Sequence, residues 1–198
     1  MIIAVTGAKG SGKSSSLLKT AEILKFNNLS VAGIICRRIW KEDKRYGYEL
    51  LNLSDNVSQL LAAEEDLDDD VIKHFNLSFR KKALTDGVNA ITQGCDADVL
   101  IIDEIGNMEA SGGGWSDSFP FVLKRVCRAT ADRAKPTILG VRENILDKLK
   151  EMGLPPDEVI TVLSDYGGVS EIILDILSNR IFIIQSALRS SSGWKREH

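Results

Sequence analysis

Apolar residues along the chain alternate between short unbroken runs and stretches spaced for a helix. Residues 2 to 6 form the first run, and Leu17, Leu18, Ala21 and Leu24 follow at helical spacing. A run without alternation predicts a strand buried on both faces, and the spaced residues predict a helix from Lys13 to about Asn27. Val31 to Ile35 predict a second strand. The charged turn Lys41-Glu42-Asp43-Lys44-Arg45, closing at Gly47, then leads into Tyr48 to Leu53 as a returning strand, so a β-hairpin is expected. Residues 54 to 78 carry no clear period, and their acidic run from Glu64 to Asp70 predicts a solvated loop.

Phe79, Ala83, Val88 and Ile91 predict a helix ending at Gly94, ahead of a strand over Val99 to Ile102. Ser111 to Gly114 read as a flexible loop, and Phe119, Val122, Leu123 and Val126 as an amphipathic helix. Thr137 to Val141 and Val159 to Leu163 predict strands, joined through a helix carrying Ile145, Leu149 and Met152. A final helix is expected over Val169 to Leu177, with Ile181 to Ile184 as an edge strand or helical extension and a frayed tail over 190 to 198. Alternating strands and helices give an α/β domain of three layers, doubly wound, with a largely parallel sheet and one inserted antiparallel hairpin. The ligand is expected at the carboxyl ends of the strands.

Composition narrows the function without naming it. With 198 residues and 43% hydrophobic content, one domain spanning 1–198 is expected. The 25 basic and 28 acidic residues give a net charge of -3, which offers no global attraction to nucleic acid or to an anionic membrane. No apolar run is long enough to span a bilayer, and the opening residues lack a signal-peptide pattern, so a cytoplasmic protein is expected. Cys36, Cys95 and Cys127 have no C-x-x-C spacing and are read as buried, reduced thiols. His74 and His198 are too few for a metal site.

The chemistry begins at Gly7-Ala8-Lys9-Gly10-Ser11-Gly12-Lys13-Ser14, a complete G-x-x-x-x-G-K-[ST] phosphate-binding loop directly after the first strand. Glycines let the backbone approach phosphate, and successive N–H groups form an anion-binding nest. Lys13 is expected to reach the β- and γ-phosphates, and Ser14 to offer its hydroxyl to Mg2+. The strand Val99 to Ile102 ends in Asp103 and Glu104. A strand-terminal aspartate can hold Mg2+ beside Ser14, and Glu104 is placed to orient or deprotonate an attacking water.

The run Asp103-Glu104-Ile105-Gly106-Asn107-Met108-Glu109, the loop near the N-terminus and the hairpin element Arg45-Tyr46-Gly47-Tyr48 together resemble the small P-loop nucleoside-triphosphatase family that includes cancer-related nucleoside-triphosphatase. The resemblance spans most of residues 1 to 163. It implies a monomeric or loosely associated Mg2+-dependent enzyme that cleaves the terminal phosphate of several nucleoside triphosphates, slowly and with weak base selectivity. On matching positions it implies Lys13 and Ser14 on phosphate and metal, Asp103 on metal and Glu104 on water. The sequence departs from the family in three places: Asn107 replaces a lysine, Glu109 runs into Ala110-Ser111-Gly112-Gly113-Gly114-Trp115 rather than Leu-Phe, and Ser164 to Gly168 replace a Glu-Asn-Arg segment.

Phosphoryl transfer needs a cation on the γ-phosphate, so replacements for the missing charges are sought. Arg142, directly after the strand Thr137 to Val141, is the leading candidate; Arg37 and Arg38 after the second strand are further ones. Trp40, Trp115 and Trp194 could stack on a base or could pack in the core. The expected function is Mg2+-dependent hydrolysis of nucleoside triphosphates, with no nucleic-acid or membrane partner. The alternatives are a nucleotide-binding adaptor for a cofactor-assembly enzyme and a small-molecule kinase.

Overall fold

In the computed structural model, which describes residues 1–67, 70–127, 135–163 and 168–180, the chain opens with β1 (Ile2–Thr6), every residue of which is buried. Helix α1 (Lys13–Phe26) follows the phosphate loop and returns the chain to β2 (Val31–Lys41). The described strands form one nine-stranded sheet in the order β5 (Val71–His74), β6 (Leu77–Arg80), β4 (Ser58–Ala63), β3 (Lys44–Asn52), β2, β7 (Val99–Ile105), β8 (Thr137–Val141), β1 and β9 (Glu158–Thr161). Strands β2, β7, β8, β1 and β9 run parallel. Strand β8 therefore lies between β1 and β7, which decides what can meet at the carboxyl edge.

The layers follow from alternation within the buried strands. Ile3 and Val5 of β1, with Val99 and Ile101 of β7, pack against Leu17, Ala21 and Leu24 of α1 and Ile173, Leu174 and Leu177 of α5 (Val169–Arg180). Ile2 and Ala4, with Leu100 and Ile102, face the opposite layer, where α2 (Lys81–Gln93) supplies Leu84 and Ile91 and α4 (Phe119–Cys127) supplies Phe119 and Val122. Each such fully buried Leu or Ile contributes about 1.5–3 kcal/mol of hydrophobic transfer. The three-layer α/β class expected from the sequence is the one observed.

The inserted segment is larger than the single hairpin expected. Strand β2 continues past Ile35 to Lys41, turns at Glu42 and Asp43 with φ values of 47° and 61°, and returns as β3 (Lys44–Asn52). Positive φ at both central residues suits the twist of a two-residue hairpin turn. The segment left unassigned then adds β4 (Ser58–Ala63), β5 (Val71–His74) and β6 (Leu77–Arg80), all antiparallel. Phe79, expected to start a helix, belongs to β6, where it pairs with Ala62 and Ile72; the helix begins after Arg80, whose backbone is extended. Its end at Gly94 is as expected.

Three further expectations are corrected or bounded. The stretch with Ile145 is a 3-10 turn over Glu143–Lys148 rather than an α-helix, with Met152 beyond it in a turn closed by Lys148. The last parallel strand is shorter than expected, ending at Thr161 and leaving Leu163 exposed. Cys36 is buried, but Cys127 at the end of α4 is exposed, and all three thiols are free. The expected features over 181–184 and 190–198, and Trp194 and His198, lie outside the described residues. Among the described residues no helix is long and apolar enough to cross a membrane.

Candidate active site

The loop between Thr6 and Lys13 lies at the carboxyl edge of the parallel strands. Gly7, Gly10 and Gly12 take φ values of 141°, 89° and 95°, which residues with a Cβ disfavour. At Gly7 a Cβ would also stand 2.5 Å from the Val162 carbonyl oxygen, so the loop can turn beside the end of β9 only with glycine there. The Lys13 ammonium arches back over the loop, donating to the carbonyls of Gly7 at 2.8 Å and Ala8 at 3.0 Å. Burial lowers its pKa, and the charges of Glu104 and Asp103 partly offset this. The Ser11 hydroxyl is buried without a hydrogen-bond partner among the described residues, leaving a donor for an anion in the loop.

Asp103 sits near the end of β7 with 1% exposure. One carboxylate oxygen accepts the Cys36 N–H at 3.2 Å, the other accepts its neighbour Glu104 N–H at 2.9 Å, and the Ser14 hydroxyl also donates to it. Burial first, and the Glu104 charge second, push its pKa up to about 7. Gly140 on β8 makes room for this carboxylate, since a Cβ there would stand 2.3 Å from Asp103 Oδ1. Sequence reasoning missed Gly140; its signal is a glycine interrupting the apolar strand Thr137–Val141.

Glu104 has φ 60°, a left-handed conformation that costs a residue with a side chain about 1–3 kcal/mol. The β7–β8 register shifts at this point, between Ile102 and Ile105. The twist coincides with Glu104 reaching the cavity wall, where Arg142 meets it. Arg142 Nε and Nη2 both donate to Glu104 Oε2 at 3.2 Å. Because β8 separates β1 from β7, Arg142 emerges between the phosphate loop and the carboxylates. Its side chain is 49% exposed, so the guanidinium is free to exchange partners.

These groups line one cavity of about 760 Å³, which Lys13, Ser14, Glu104, Arg38, Arg142 and Trp40 share with the loop. That volume lies in the range of ligand pockets, about 300–1,000 Å³. Arg38 Nη1 is 3.5 Å from the point where a Gly10 Cβ would stand, so it faces the loop. Arg37 also borders the cavity, but its guanidinium is engaged elsewhere: its Nε lies 3.1 Å from Glu49 and its Nη2 donates to Ser58 at 2.9 Å. Trp40 is 59% exposed at the cavity, whereas Trp115 is buried against Gly87 as core packing.

The segment after Glu104 is held by its own groups. Asn107 accepts from the Asn144 amide at 3.1 Å. Glu109 on the short helix α3 (Asn107–Ala110) accepts the N–H of Gly106 at 2.8 Å and of Trp115 at 3.3 Å. The Gly112 and Gly113 N–H groups bond back to Glu109 and Met108 carbonyls, so the expected flexible loop is a hydrogen-bonded turn ending in a buried tryptophan. Among the described residues no three His, Cys, Asp or Glu side chains gather as a metal cluster. The donor set beside the loop is instead one hydroxyl and one carboxylate, Ser14 and Asp103, already in contact.

A family model described as NTPase matches residues 2–162. The nucleoside-triphosphatase THEP1 of Methanocaldococcus jannaschii is 33% identical over 154 residues, 77% of this chain and 85% of that protein. The crystal structure of THEP1 from the hyperthermophile Aquifex aeolicus overlays with a TM-score of 0.59 at 17% identity, covering 91% of this chain and 99% of that one. A solution structure of a human cancer-related nucleoside triphosphatase gives a TM-score of 0.62 at 18% identity, covering 89% and 95%. The two structures share the fold, and the family match over most of the chain identifies it: this chain belongs to the nucleoside-triphosphatase family and is a nucleoside triphosphate hydrolase.

Proposed function

We propose that the chain cleaves the terminal phosphate of several nucleoside triphosphates, ATP and GTP among them, in a Mg2+-dependent reaction at this cavity. The observation that carries the reading is the meeting of Lys13, Ser14, Glu104 and Arg142 around one opening, with Asp103 buried directly behind Ser14. In this reading the N–H groups of Gly7 to Ser14 hold the β- and γ-phosphates, and Lys13 leaves its loop carbonyls to meet them. A hydroxyl, a carboxylate, phosphate oxygens and water form a donor set suited to Mg2+, and Ser14 and Asp103 would hold it. When bound, the ion neutralises charge on the β- and γ-phosphates.

Glu104 orients a water in line with the γ-phosphorus and takes its proton. Arg142 holds Glu104 and, being half exposed, can turn toward the charge that develops on the transferring phosphoryl group. Arg38, whose guanidinium lies beside Gly10 of the loop, is a second cation. Trp40 offers a ring face to the base, which is stacking without base-edge contacts and favours weak base selectivity. With its net charge of -3 the chain is read as acting without nucleic acid or membrane, as a monomer or weak oligomer, and the free thiols suit a reducing cytoplasm.

The test is phosphate release from ATP, GTP, CTP and UTP, with Mg2+ or with a chelator, in the wild type and Glu104→Gln. Release that requires Mg2+ and falls about 10²–10⁴-fold in Glu104→Gln is expected. Equal rates in the two proteins would sink Glu104 as the base, and equal rates with chelator would sink the metal requirement.

A further inference from the structure

A second cavity of about 240 Å³ adjoins the first, and the two share Lys9, Cys36, Tyr48, Glu104 and Arg142 as lining. They meet at the Glu104–Arg142 pair. The remaining wall has an apolar side, Leu61 of β4, Leu77 and Phe79 of β6, and Met108, and a polar side that includes His74, Asn76, Asn107 and Glu109. A water occupies about 30 Å³, so this chamber is much larger than a hydrolytic water requires, and its apolar side offers a water no partner. It is smaller than a typical site for a drug-sized ligand, which leaves room for one ring with a short arm.

Apart from Lys9, which stands on the border with the phosphate loop, the charged groups around it are held within the protein. Arg45 is bonded to Glu64, Arg142 to Glu104, and the Glu109 carboxylate accepts the Gly106 and Trp115 N–H groups. Away from the Lys9 border an occupant meets no unheld charge, so its body is uncharged. Its polar end is decided by Glu104, the acceptor that borders both cavities.

We propose that this chamber admits a small uncharged alcohol, one ring with a hydroxyl arm, and that the enzyme passes the γ-phosphoryl group to it in competition with water. The step balances without a further reactant. The alcohol oxygen attacks the γ-phosphorus and forms the new O–P bond, its proton going to Glu104 and then to solvent. The bond between the γ-phosphorus and the β–γ bridging oxygen breaks, and the nucleoside diphosphate leaves with its electron pair. The proposal rests on Glu104 acting as base, as in the hydrolysis reading, but replaces its water.

Benzyl alcohol is a suitable probe, and glycerol, with hydroxyls but no ring, its control. The ratio of organic phosphate to inorganic phosphate formed from ATP is read by phosphorus NMR and mass spectrometry. Benzyl phosphate should form saturably, at a ratio at least tenfold above glycerol phosphate at equal alcohol concentration. Leu77→Trp, which fills the chamber, should lower the benzyl ratio at least tenfold, while Leu77→Ala should not. Using a ratio removes any dependence on how much variant protein folds. Inorganic phosphate alone from the wild type, or an unchanged ratio in Leu77→Trp, overturns the proposal and leaves hydrolysis standing. Benzyl phosphate with no inorganic phosphate in the absence of alcohol would overturn hydrolysis and keep the proposal.

Discussion

The parallel half of the sheet and its antiparallel wing are built on different principles. In the parallel half, β1 and β8 are buried at every position and β7 at all but one, because helices cover both faces. In the wing, β5 has no buried residue, and ion pairs such as Lys73–Asp66 and Lys81–Asp70, both 2.6 Å, hold its border in water. The phosphate loop and Asp103, Glu104 and Arg142 all belong to the parallel half. The wing supplies Tyr48, Leu61, Leu77 and Phe79 to the second cavity. A rigid, desolvated half thus carries the charged groups, and a half-exposed wing shapes the space beside them.

If that division is right, substitutions at the parallel edge should remove activity or stability in large steps. Lys13→Ala is expected to reduce hydrolysis by about 10³-fold or more, since in the proposed mechanism it deletes the cation that meets the phosphates. Steady-state phosphate release checks this, with circular dichroism confirming the fold. Asp103 gives the next effect, through pH. Its pKa stands at about 7 against an ordinary 3.8 because it is buried beside Glu104, so the native state holds a proton that the unfolded chain releases. In the ligand-free protein the Asp103 contribution to stability should be fully present below about pH 4 and be lost as pH rises through about 7, by at most about 4 kcal/mol. Urea midpoints across that range should flatten in Asp103→Asn; an unchanged slope would remove Asp103 as the source.

Gly33 tests the packing of the same half. It lies in β2 with φ 107°, and a Cβ there would stand 1.9 Å from the Ile101 carbonyl oxygen of β7. Gly33→Ala must push apart two strands that are locked by helices on both sides. A loss of about 3 kcal/mol is expected in urea unfolding. A loss under about 1 kcal/mol would show that the parallel half yields as easily as the wing.

The same contrast explains what could be read from the chain. Strands covered on both faces appear as unbroken apolar runs, so Ile2 to Thr6 and Thr137 to Val141 were legible to the residue. Strands covered on one face, short and interleaved with charge, were not: β4, β5 and β6 follow one another around the acidic run, and Phe79 sits at a spacing that also fits a helix. Ile145 and Leu149 are both buried as a helix would bury them, yet the backbone is 3-10. The positions of Lys13, Ser14, Asp103 and Glu104 were legible because each lies in a local motif, and that of Arg142 because it ends a clear strand. Gly140 shows in the sequence only as a gap in an apolar strand and Arg38 only as a cation near a strand end; which groups they meet, like the anchoring of Glu109, depends on contacts between distant segments.

The smallest effect should come at the wing's edge. Ile72 is the exposed apolar residue of β5, 43% accessible, and pairs with Phe79 in the ladder. Ile72→Thr keeps the β-branch that favours extended backbone and removes apolar surface that water already reaches. Its stability change should stay within about 0.5 kcal/mol, as for most surface substitutions, with hydrolysis unchanged. Edge strands with exposed apolar residues invite pairing with another chain, so the substitution should also reduce any concentration-dependent association seen by light scattering. If Ile72→Thr instead lowered hydrolysis several-fold, the wing's edge would be coupled to the Glu104 end of β7, and the separation between a half that does the chemistry and a half that shapes the space would fail.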